Sequence, residues 1–420
     1  MEEKIDTKKQ LKICLPIAFE NLINVLMTLV DTIAISTIGT KELGAMGAMA
    51  VVINIMQLSI QTINVTNSSL IAKAIGEKDN IKIKQISGNS IILTLLISLL
   101  TIIIAIVIKP VFPTLFNVDE ICNLYLVIRL IGFIPNAIVT VLSGQQRTLG
   151  KQGNILKLRI VAVILNLVFD IIVVNLGYGI AGVAWVTVIL DILIATYLLI
   201  KANATIIYKF TKSIMKDIFN LFKWNFTERI VSRIDNFVFN ILVSRMGENE
   251  YAVHIILIQI RDIIESFVQG FGDGITISVG IASGIKVDSY MNEVKNIAKK
   301  IIRKTSIIMP VITFVVAIII MNISLPQTDL QIIFYKVLPI LLIGVYITTS
   351  ATYYFSIIRG IRDFKFLAKR NFISSLIKIL VATILAYTPL GIFGVWISYL
   401  IYNILQKYMS KIRYKEEYSC

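Results

Sequence analysis

The chain of 420 residues is 56% hydrophobic and only 16% charged, with a formal net charge of +15 at pH 7. Soluble globular domains carry about 25% charged residues, so this composition excludes an ordinary soluble protein. A single histidine and three scattered cysteines exclude multi-histidine zinc sites, and they argue against a disulfide framework or a Ser–His or Cys–His catalytic arrangement.

Long apolar segments follow one another along the whole chain, with lengths close to or above the roughly 20 residues that cross a bilayer as a helix. We predict membrane-spanning helices at 13–36, 45–71, 88–108, 121–143, 160–176, 179–200, 219–244, 251–281, 305–323, 332–358, 371–388 and 391–406. The loops between them are short and leave no room for a soluble domain. The predicted fold is an all-α polytopic membrane protein with twelve transmembrane helices.

The positive charge is distributed unevenly between the two sides of the predicted membrane. Of the 41 Lys and Arg residues, 32 lie in the termini and loops of one side, whereas the opposite loops hold only Lys41, Lys109, Arg245 and Lys336. Cytoplasmic loops of membrane proteins carry such an excess. We therefore predict a multi-pass protein of the cytoplasmic (inner) membrane with both termini in the cytoplasm, and no nucleic-acid partner.

One glycine-rich stretch, from Gly144 to Gln152, imitates a phosphate-binding loop. It has five residues between Gly144 and Gly150, where that motif has four, and Gln152 stands in place of the hydroxyl that binds Mg²⁺. ATP binding is therefore not expected here, and no cofactor is predicted.

The two halves of the sequence repeat each other. Glu20 and Glu228 are 208 residues apart, and later pairs such as Arg147 and Arg359 are 212 apart. The remaining pairs, in order, are Ser36 with Ser244, Gly39 with Gly247, Glu42 with Glu250, Gly76 with Gly284, and Gly179–Gly182 with Gly391–Gly394. Each half contains six predicted spans, so we expect two parallel-repeat six-helix bundles, 1–205 and 206–420. Parallel repeats of this kind place a substrate site between two bundles.

Three motifs carry a resemblance to a known family. Helix one reads Leu15-Pro16-Ile-Ala-Phe-Glu20-Asn21 and continues to Asp31 and Gly39, helix five reads Asn166-Leu-Val-Phe-Asp170, and helix six begins Gly177-Tyr-Gly-Ile-Ala-Gly182. Together they resemble the multidrug and toxic compound extrusion (MATE) family, and the Asp of helix one with the Asn and Asp of helix five resembles its DinF-like branch. The resemblance implies a MATE-like fold, export of organic compounds in exchange for H⁺ or Na⁺, and bending of helix one, for which Pro16 is the candidate.

Polar side chains in the N-terminal half fall on shared helix faces. They are Glu20, Asn24, Thr28 and Asp31 in helix one, Gln57, Gln61 and Asn64 in helix two, Asn166 and Asp170 in helix five, and Thr187 and Asp191 in helix six. A carboxylate in the middle of the membrane costs about 2.5–3.5 kcal/mol on insertion scales, so such residues usually face an interior cavity and act in transport. For Asn, Gln and Thr alone, the alternative is hydrogen bonding between helices.

We predict that Asp31, Asn166, Asp170 and Thr187 couple export to cation entry. Removal from water and a like-charged neighbour both favour the protonated form of a carboxylic acid, so the Asp pair can hold a proton. The same four side chains also offer the hard oxygen ligands that suit Na⁺. The pattern does not choose between the two ions, and no other metal is predicted.

The C-terminal half carries more charge within its spans. Helix seven contains Glu228, Arg229, Arg233 and Asp235, helix eight contains Arg261, Asp262, Glu265 and Asp273, and helix eleven contains Lys378. Glu228 matches the family's helix-seven glutamate. These residues either pair internally or line a polar pocket for a zwitterionic or amphipathic substrate, to which Tyr353 would add an aromatic contact. Asn166 and Asp170 correspond to Lys378 and Ala382 by the 212 offset, which argues against a carboxylate-rich coupling site in this half.

These patterns predict a monomeric antiporter, not an enzyme, that exports small organic cationic or amphipathic compounds by alternating access. The substrate-binding or cavity-lining candidates are Glu20, Asn24, Thr28, Gln57, Gln61, Asn64, Glu228, Asp262, Glu265 and Tyr353. The alternative is a flippase of the same superfamily for lipid-linked saccharides. Such a protein should have a strongly cationic cavity, whereas the N-terminal polar stripe is acidic and neutral.

Overall fold

The computed structural model describes residues 6–111, 120–202, 206–324 and 328–418, and these residues are almost entirely α-helical. The side chains of Lys41 and Cys122, and residue Cys420, lie outside the described part. The described residues form twelve α-helices, numbered here α1 Thr7–Ser36, α2 Thr40–Gly76, α3 Asn80–Ile108, α4 Glu120–Gln146, α5 Gln152–Asn175, α6 Gly179–Ala202, α7 Lys212–Ser244, α8 Glu248–Ile285, α9 Asp288–Ser324, α10 Thr328–Gly360, α11 Phe364–Ala386 and α12 Gly391–Tyr418. Each predicted span coincides with one of these helices, which confirms the all-α architecture.

Seven helical stretches within the described ranges are long and apolar enough to cross a membrane: Thr7–Ser36, Gly44–Gly76, Asn80–Ile108, Phe133–Asn175, Gly179–Ala202, Asp288–Ser324 and Thr328–Gly360. The helices outside this set include α7, α8 and α11, which carry charged side chains such as Asp235, Glu265 and Lys378 inside the predicted spans. Large apolar side chains, among them Ile103 on α3 and Leu193 on α6, are exposed. Such a surface is stable when it faces lipid tails.

The chain divides into two compact units. One comprises Phe19–Phe222, and the other comprises Met1–Ala18 with Lys223–Cys420. We call them the N-terminal unit and the C-terminal unit. Helix α1 therefore begins in the C-terminal unit, where Gln10 Nε2 donates to the Gly274 carbonyl at 3.4 Å and Cys14 Sγ to the Phe271 carbonyl at 3.7 Å.

The start of α7 belongs to the N-terminal unit in the same way. Ile214 and Ile218 pack into an apolar cluster with Ile71 and Ile86, and the preceding segment is hydrogen-bonded to Asn89 on α3. The two units are defined by contacts between residues, whereas the predicted boundary after residue 205 is based on the sequence repeat. The boundary at 205 therefore stays a prediction about the repeat.

The repeat seen in the sequence is present in the helix boundaries. Helices α2 and α3 begin 208 residues before α8 and α9, and α5 and α6 begin 212 residues before α11 and α12. The packing repeats as well, because α4 packs on α2, α3 and α6 while α10 packs on α8, α9 and α12. Gly132 and Gly344 mark equivalent close approaches, where a Cβ atom would collide with Val188 of α6 and with Tyr399 of α12.

The stretch that imitates a phosphate-binding loop has a different structure. Residues Arg147–Lys151 form a π-helical turn between α4 and α5, and Gly150 within it has φ 83°. This left-handed conformation favours glycine. The glycine is therefore explained by the connection between two helices.

Candidate functional site

The predicted acid pair meets inside the N-terminal unit. Asp31 on α1 is half-buried, and Asn166 and Asp170 on α5 have no exposed surface. The side chain of Asp31 interacts with the side chains of both α5 residues. Spacing of four residues on α5 directs Asn166 and Asp170 to the same face, and α1 presents Asp31 to it. The structure brings these three residues together, and their role stays a proposal.

Several oxygen atoms at this point have no hydrogen-bond donor. They are Asp31 Oδ1, Asn166 Oδ1, and both Oδ1 and Oδ2 of Asp170, all buried. Buried oxygens in proteins are nearly always hydrogen-bonded, and an unpaired carboxylate in a low-dielectric site is costly. A proton on a carboxyl group or a cation among the oxygens would remove that cost. No group of three or more His, Cys, Asp or Glu side chains that could hold a metal ion is found in the described ranges.

A chain of hydrogen-bonded polar side chains joins α2, α4 and α6 in the same unit. Gln57 Nε2 of α2 donates to Asn136 Oδ1 of α4, and Asn136 Nδ2 donates to Asp191 Oδ2 of α6 at 2.9 Å. The Arg129 guanidinium of α4 interacts electrostatically with Asp31 and Asp191. Sequence reasoning missed Arg129 and Asn136. The only signal was an arginine inside an otherwise apolar predicted span, which pointed to an acidic partner on another helix.

The remaining predicted side chains of this half make contacts of their own. Thr187 is buried, and its hydroxyl donates to the Val183 carbonyl of its own helix at 3.3 Å. Asn24 and Thr28 are exposed, and the Thr28 hydroxyl donates to the Asn24 carbonyl at 3.3 Å. Gln61 and Asn64 are half-buried, and the Asn64 side chain lies against the Gly144 backbone.

Glu20 takes part in a buried ion pair. Its side chain is 1% exposed, with Oε2 at 3.3 Å from Arg147 Nη1 and Oε1 at 3.8 Å from Arg159 Nε. The repeat-related Glu228 of the C-terminal unit forms the same kind of pair, since its Oε1 lies 3.4 Å from Arg359 Nη2 and 3.5 Å from Arg370 Nη2. Both carboxylates therefore have cationic partners within their own units.

A charged network occupies the C-terminal unit. Lys378 Nζ donates to Asp235 Oδ2 at 3.0 Å, and both side chains are nearly completely buried. Glu265 Oε1 accepts a hydrogen bond of 2.9 Å from the Tyr399 hydroxyl. Arg261 is buried and pairs at 2.8 Å with Asp262, whose side chain is 56% exposed.

The two remaining predicted residues are Tyr353 and Pro16. Tyr353 is buried in an apolar cluster with Ile357 and Phe271, and its hydroxyl lies 3.0 Å from that of Tyr414. Helix α1 continues through Pro16 without a break.

Comparisons with known proteins agree with this architecture. The MatE family model matches residues 16–172 and 227–384, segments of nearly equal length that begin 211 residues apart. No curated protein sequence matches the chain.

Solved structures with the same fold cover almost the whole chain. An outward-facing multidrug resistance MATE family transporter of the MOP superfamily is 21% identical, with a TM-score of 0.89 over 99% of this chain and 98% of its own. A MOP superfamily transporter from Pyrococcus furiosus, described as having a binding pocket of reverse polarity that suggests a different function, is 21% identical with a TM-score of 0.89 over 98% and 96%. A Vibrio cholerae MATE transporter in a bent form is 16% identical with a TM-score of 0.89 over 98% and 96%.

The family match covers most of the chain and falls on both repeats. The fold matches extend from one end to the other. The protein is therefore a polytopic membrane transporter, not an enzyme, and it belongs to the MatE family.

Proposed function

We propose that the protein is a cation-coupled antiporter that exports small organic, cationic or amphipathic compounds across the cytoplasmic membrane by alternating access. The observation that carries this proposal is the buried convergence of Asp31, Asn166 and Asp170, with four oxygen atoms that lack donors. A bound H⁺ or Na⁺ neutralises this site, and its loss leaves a charge that is unfavourable in the same surroundings. Binding therefore changes the relative free energy of two conformations, which is how an ion drives alternating access.

The surrounding side chains support a coupling site rather than a static ion pair. Asp170 has no cationic partner among the contacts that the described structure gives, and Arg129 interacts with Asp31 and Asp191. Thr187 is the fourth predicted ligand. Its hydroxyl hydrogen is used within α6, which leaves its oxygen lone pairs available to a cation. The set suits either ion, since a carboxyl pair binds H⁺ and the same oxygens are hard ligands for Na⁺.

The substrate class follows from the charges in the two units. The N-terminal unit offers Gln57, Gln61 and Asn64 as neutral polar contacts, and the C-terminal unit offers Asp262 and Glu265 as acidic ones. Asp262 pairs with Arg261 but its side chain is 56% exposed, whereas Glu20 and Glu228 are 1% and 10% exposed in their arginine pairs. We therefore assign Glu20 and Glu228 to holding helices together rather than to direct contact with substrate. We further propose that both termini lie in the cytoplasm, that the monomer is the working unit, and that the chain belongs to the DinF-like branch.

Lipid-linked saccharide flipping is the second candidate. The observation that favours it is the concentration of Arg229, Arg359 and Arg370 around the single carboxylate of Glu228, because a pyrophosphate group binds to several guanidinium groups. The buried Asp pair of the N-terminal unit has no role in such a mechanism, so we favour the antiporter.

The test is transport by purified protein reconstituted in lipid vesicles. A proton gradient and a sodium gradient are imposed separately, and the movement of a labelled cationic dye is followed. We expect one gradient to drive the dye, and we expect Asp31→Asn to reduce that movement to the level of protein-free vesicles. Asp217→Asn, the same change at an exposed position of α7, is the matched control and should transport normally.

Near-normal transport by Asp31→Asn would show that Asp31 takes no part in coupling. No response of the folded wild-type protein to either gradient would favour the flippase.

A further inference from the structure

The C-terminal unit contains the repeat-related counterpart of the N-terminal acid site, with different chemistry. The three position pairs are Asp31 and Phe239 at an offset of 208, and Asn166 and Lys378, and Asp170 and Ala382, at an offset of 212. Both carboxylates of the N-terminal site are therefore replaced by uncharged side chains. The amide is replaced by an ammonium group.

The Lys378 side chain is held in a cation site. Its Nζ lies 4.2 Å from the centre of the Phe239 ring and 5.4 Å from that of Tyr402, within the range of a cation–π interaction. Asp235 Oδ2 accepts its hydrogen bond at 3.0 Å. Lys378 is 2% exposed, Phe239 is 1% exposed and Asp235 is 3% exposed, so the ammonium group is removed from water.

The charges around this site also favour a cation. Lys378 and Arg261 face three carboxylates, those of Asp235, Asp262 and Glu265. Asp235 Oδ1 is buried, and the Ser375 hydroxyl is a polar neighbour of this carboxylate. Without Lys378, the buried Asp235 carboxylate would lose its cationic partner, which is a strongly unfavourable arrangement in a low-dielectric interior.

We infer that Lys378 is a tethered cation that permanently fills the C-terminal counterpart of the N-terminal cation site. The C-terminal unit therefore carries its own cation and exchanges none during transport, and coupling to the ion gradient is confined to the N-terminal unit. This inference rests on the proposed function only in assigning a cation to the acid site of the N-terminal unit. The aromatic site around the Lys378 ammonium group is defined by its geometry and does not depend on that assignment. The class of ligand that this site accepts is a primary alkylammonium ion.

The test removes the tethered cation and supplies it again from solution. Lys378→Ala deletes the side chain beyond Cβ, a space that matches n-propylammonium. Thermal melting of the purified variant is measured with n-propylammonium and with 1-propanol, a neutral molecule of similar size. We expect Lys378→Ala to melt below the wild type, and n-propylammonium to raise its Tm in a saturable way by about 2–4 °C. The alcohol should have no such effect.

Lys378→Met is the matched control, because it removes the charge but fills the space. Neither it nor the wild type should gain stability from n-propylammonium. Stabilisation of Lys378→Met equal to that of Lys378→Ala, or none in folded Lys378→Ala, would overturn the inference. These melting experiments involve no transport, so they can fail while the Asp31→Asn experiment succeeds, and the reverse.

A second variant covers the case in which Lys378→Ala does not fold. Asp235→Asn combined with Lys378→Met removes both charges and leaves side chains of similar size. If the tethered cation takes no part in coupling, this folded double variant keeps gradient-driven dye transport with the wild-type half-saturating concentration of the coupling cation. A changed half-saturating concentration would show that the C-terminal unit exchanges the coupling ion, and it would overturn the inference.

Discussion

Equivalent positions in the two repeats carry chemically different side chains within the same arrangement of helices. In the N-terminal unit, Asp170 is buried and Asp31 is half-buried, and both contribute buried oxygens that lack donors. In the C-terminal unit, Phe239 and Ala382 take those positions, and the Lys378 ammonium lies over the Phe239 ring. The comparison shows that a duplicated fold can keep its packing while equivalent positions carry carboxylates in one copy and uncharged side chains beside an ammonium group in the other.

The comparison predicts that the same substitution has opposite effects on stability in the two units. Asp235→Asn leaves Lys378 buried without its counter-ion, so we expect a loss of about 3–5 kcal/mol. Asp170→Asn removes a carboxylate that lies beside the like-charged Asp31 and has no cationic neighbour among the described contacts, so the free energy of unfolding should stay unchanged or rise, at the cost of function. Thermal melting of both variants in the same detergent measures the difference. Equal losses in the free energy of unfolding for the two variants would contradict the expected difference between the units.

Gly132 and Gly344, where helices approach closely at equivalent positions, provide a second test of the repeat. Gly132→Ala and Gly344→Ala each place a methyl group against a neighbouring helix, at Val188 and at Tyr399 respectively. Overpacking of this kind costs about 1–3 kcal/mol, and we expect both variants to lose stability within that range. Gly153, where an added Cβ would meet nothing within 4 Å, is the control position. Gly153→Ala should not be destabilised in the same way.

Arg129 tests how the positive charge near the acid pair affects cation binding. Its guanidinium interacts with Asp31 and Asp191, and Arg129→Gln removes this positive charge from the acid site. We expect the half-saturating concentration of the coupling cation to fall about tenfold, equivalent to about 1.4 kcal/mol. The measurement is dye transport against cation concentration. A rise in that concentration would mean that Arg129 organises the site rather than opposing the cation.

A variant of Thr187 distinguishes coupling to Na⁺ from coupling to H⁺, with a smaller expected change in the half-saturating cation concentration. Thr187→Val removes one neutral oxygen and keeps the shape of the side chain. If Na⁺ is the coupling ion, we expect its half-saturating concentration to rise about threefold, or about 0.7 kcal/mol. If H⁺ is the coupling ion, the carboxyl pair suffices and transport should be unaffected. A comparison of sodium-driven and proton-driven dye movement in this variant gives the answer.

Helix positions, the repeat and the meeting of Asp31 with Asp170 were all predictable, because they depend on hydrophobic length and helical spacing. The exposure of Asn24 and Thr28 was not, although both share a helix face with Asp31. Residues on a shared face point to the same side of their own helix. The sequence does not indicate which neighbouring helix, if any, each turn of that face contacts. The contacts of Arg129 and the stacking of Lys378 on Phe239 were missed for the same reason, since each joins helices that are distant in sequence.

The division of α1 was also beyond sequence reasoning. Its first turns pack in the C-terminal unit through Cys14 and Gly274, and its later turns carry Asp31 in the N-terminal unit. An apolar helix gives no sign of which bundle each turn will join, because lipid and protein interiors favour the same side chains.

The central claim is that coupling resides in the N-terminal unit alone. It is tested most directly by gradient-driven dye movement in vesicles that contain the double variant Asp31→Asn with Asp170→Asn. We predict that this variant folds, binds the dye and responds to neither a proton nor a sodium gradient. Dye accumulation driven by either gradient in the double variant would contradict the account and would assign the coupling ion to the C-terminal unit.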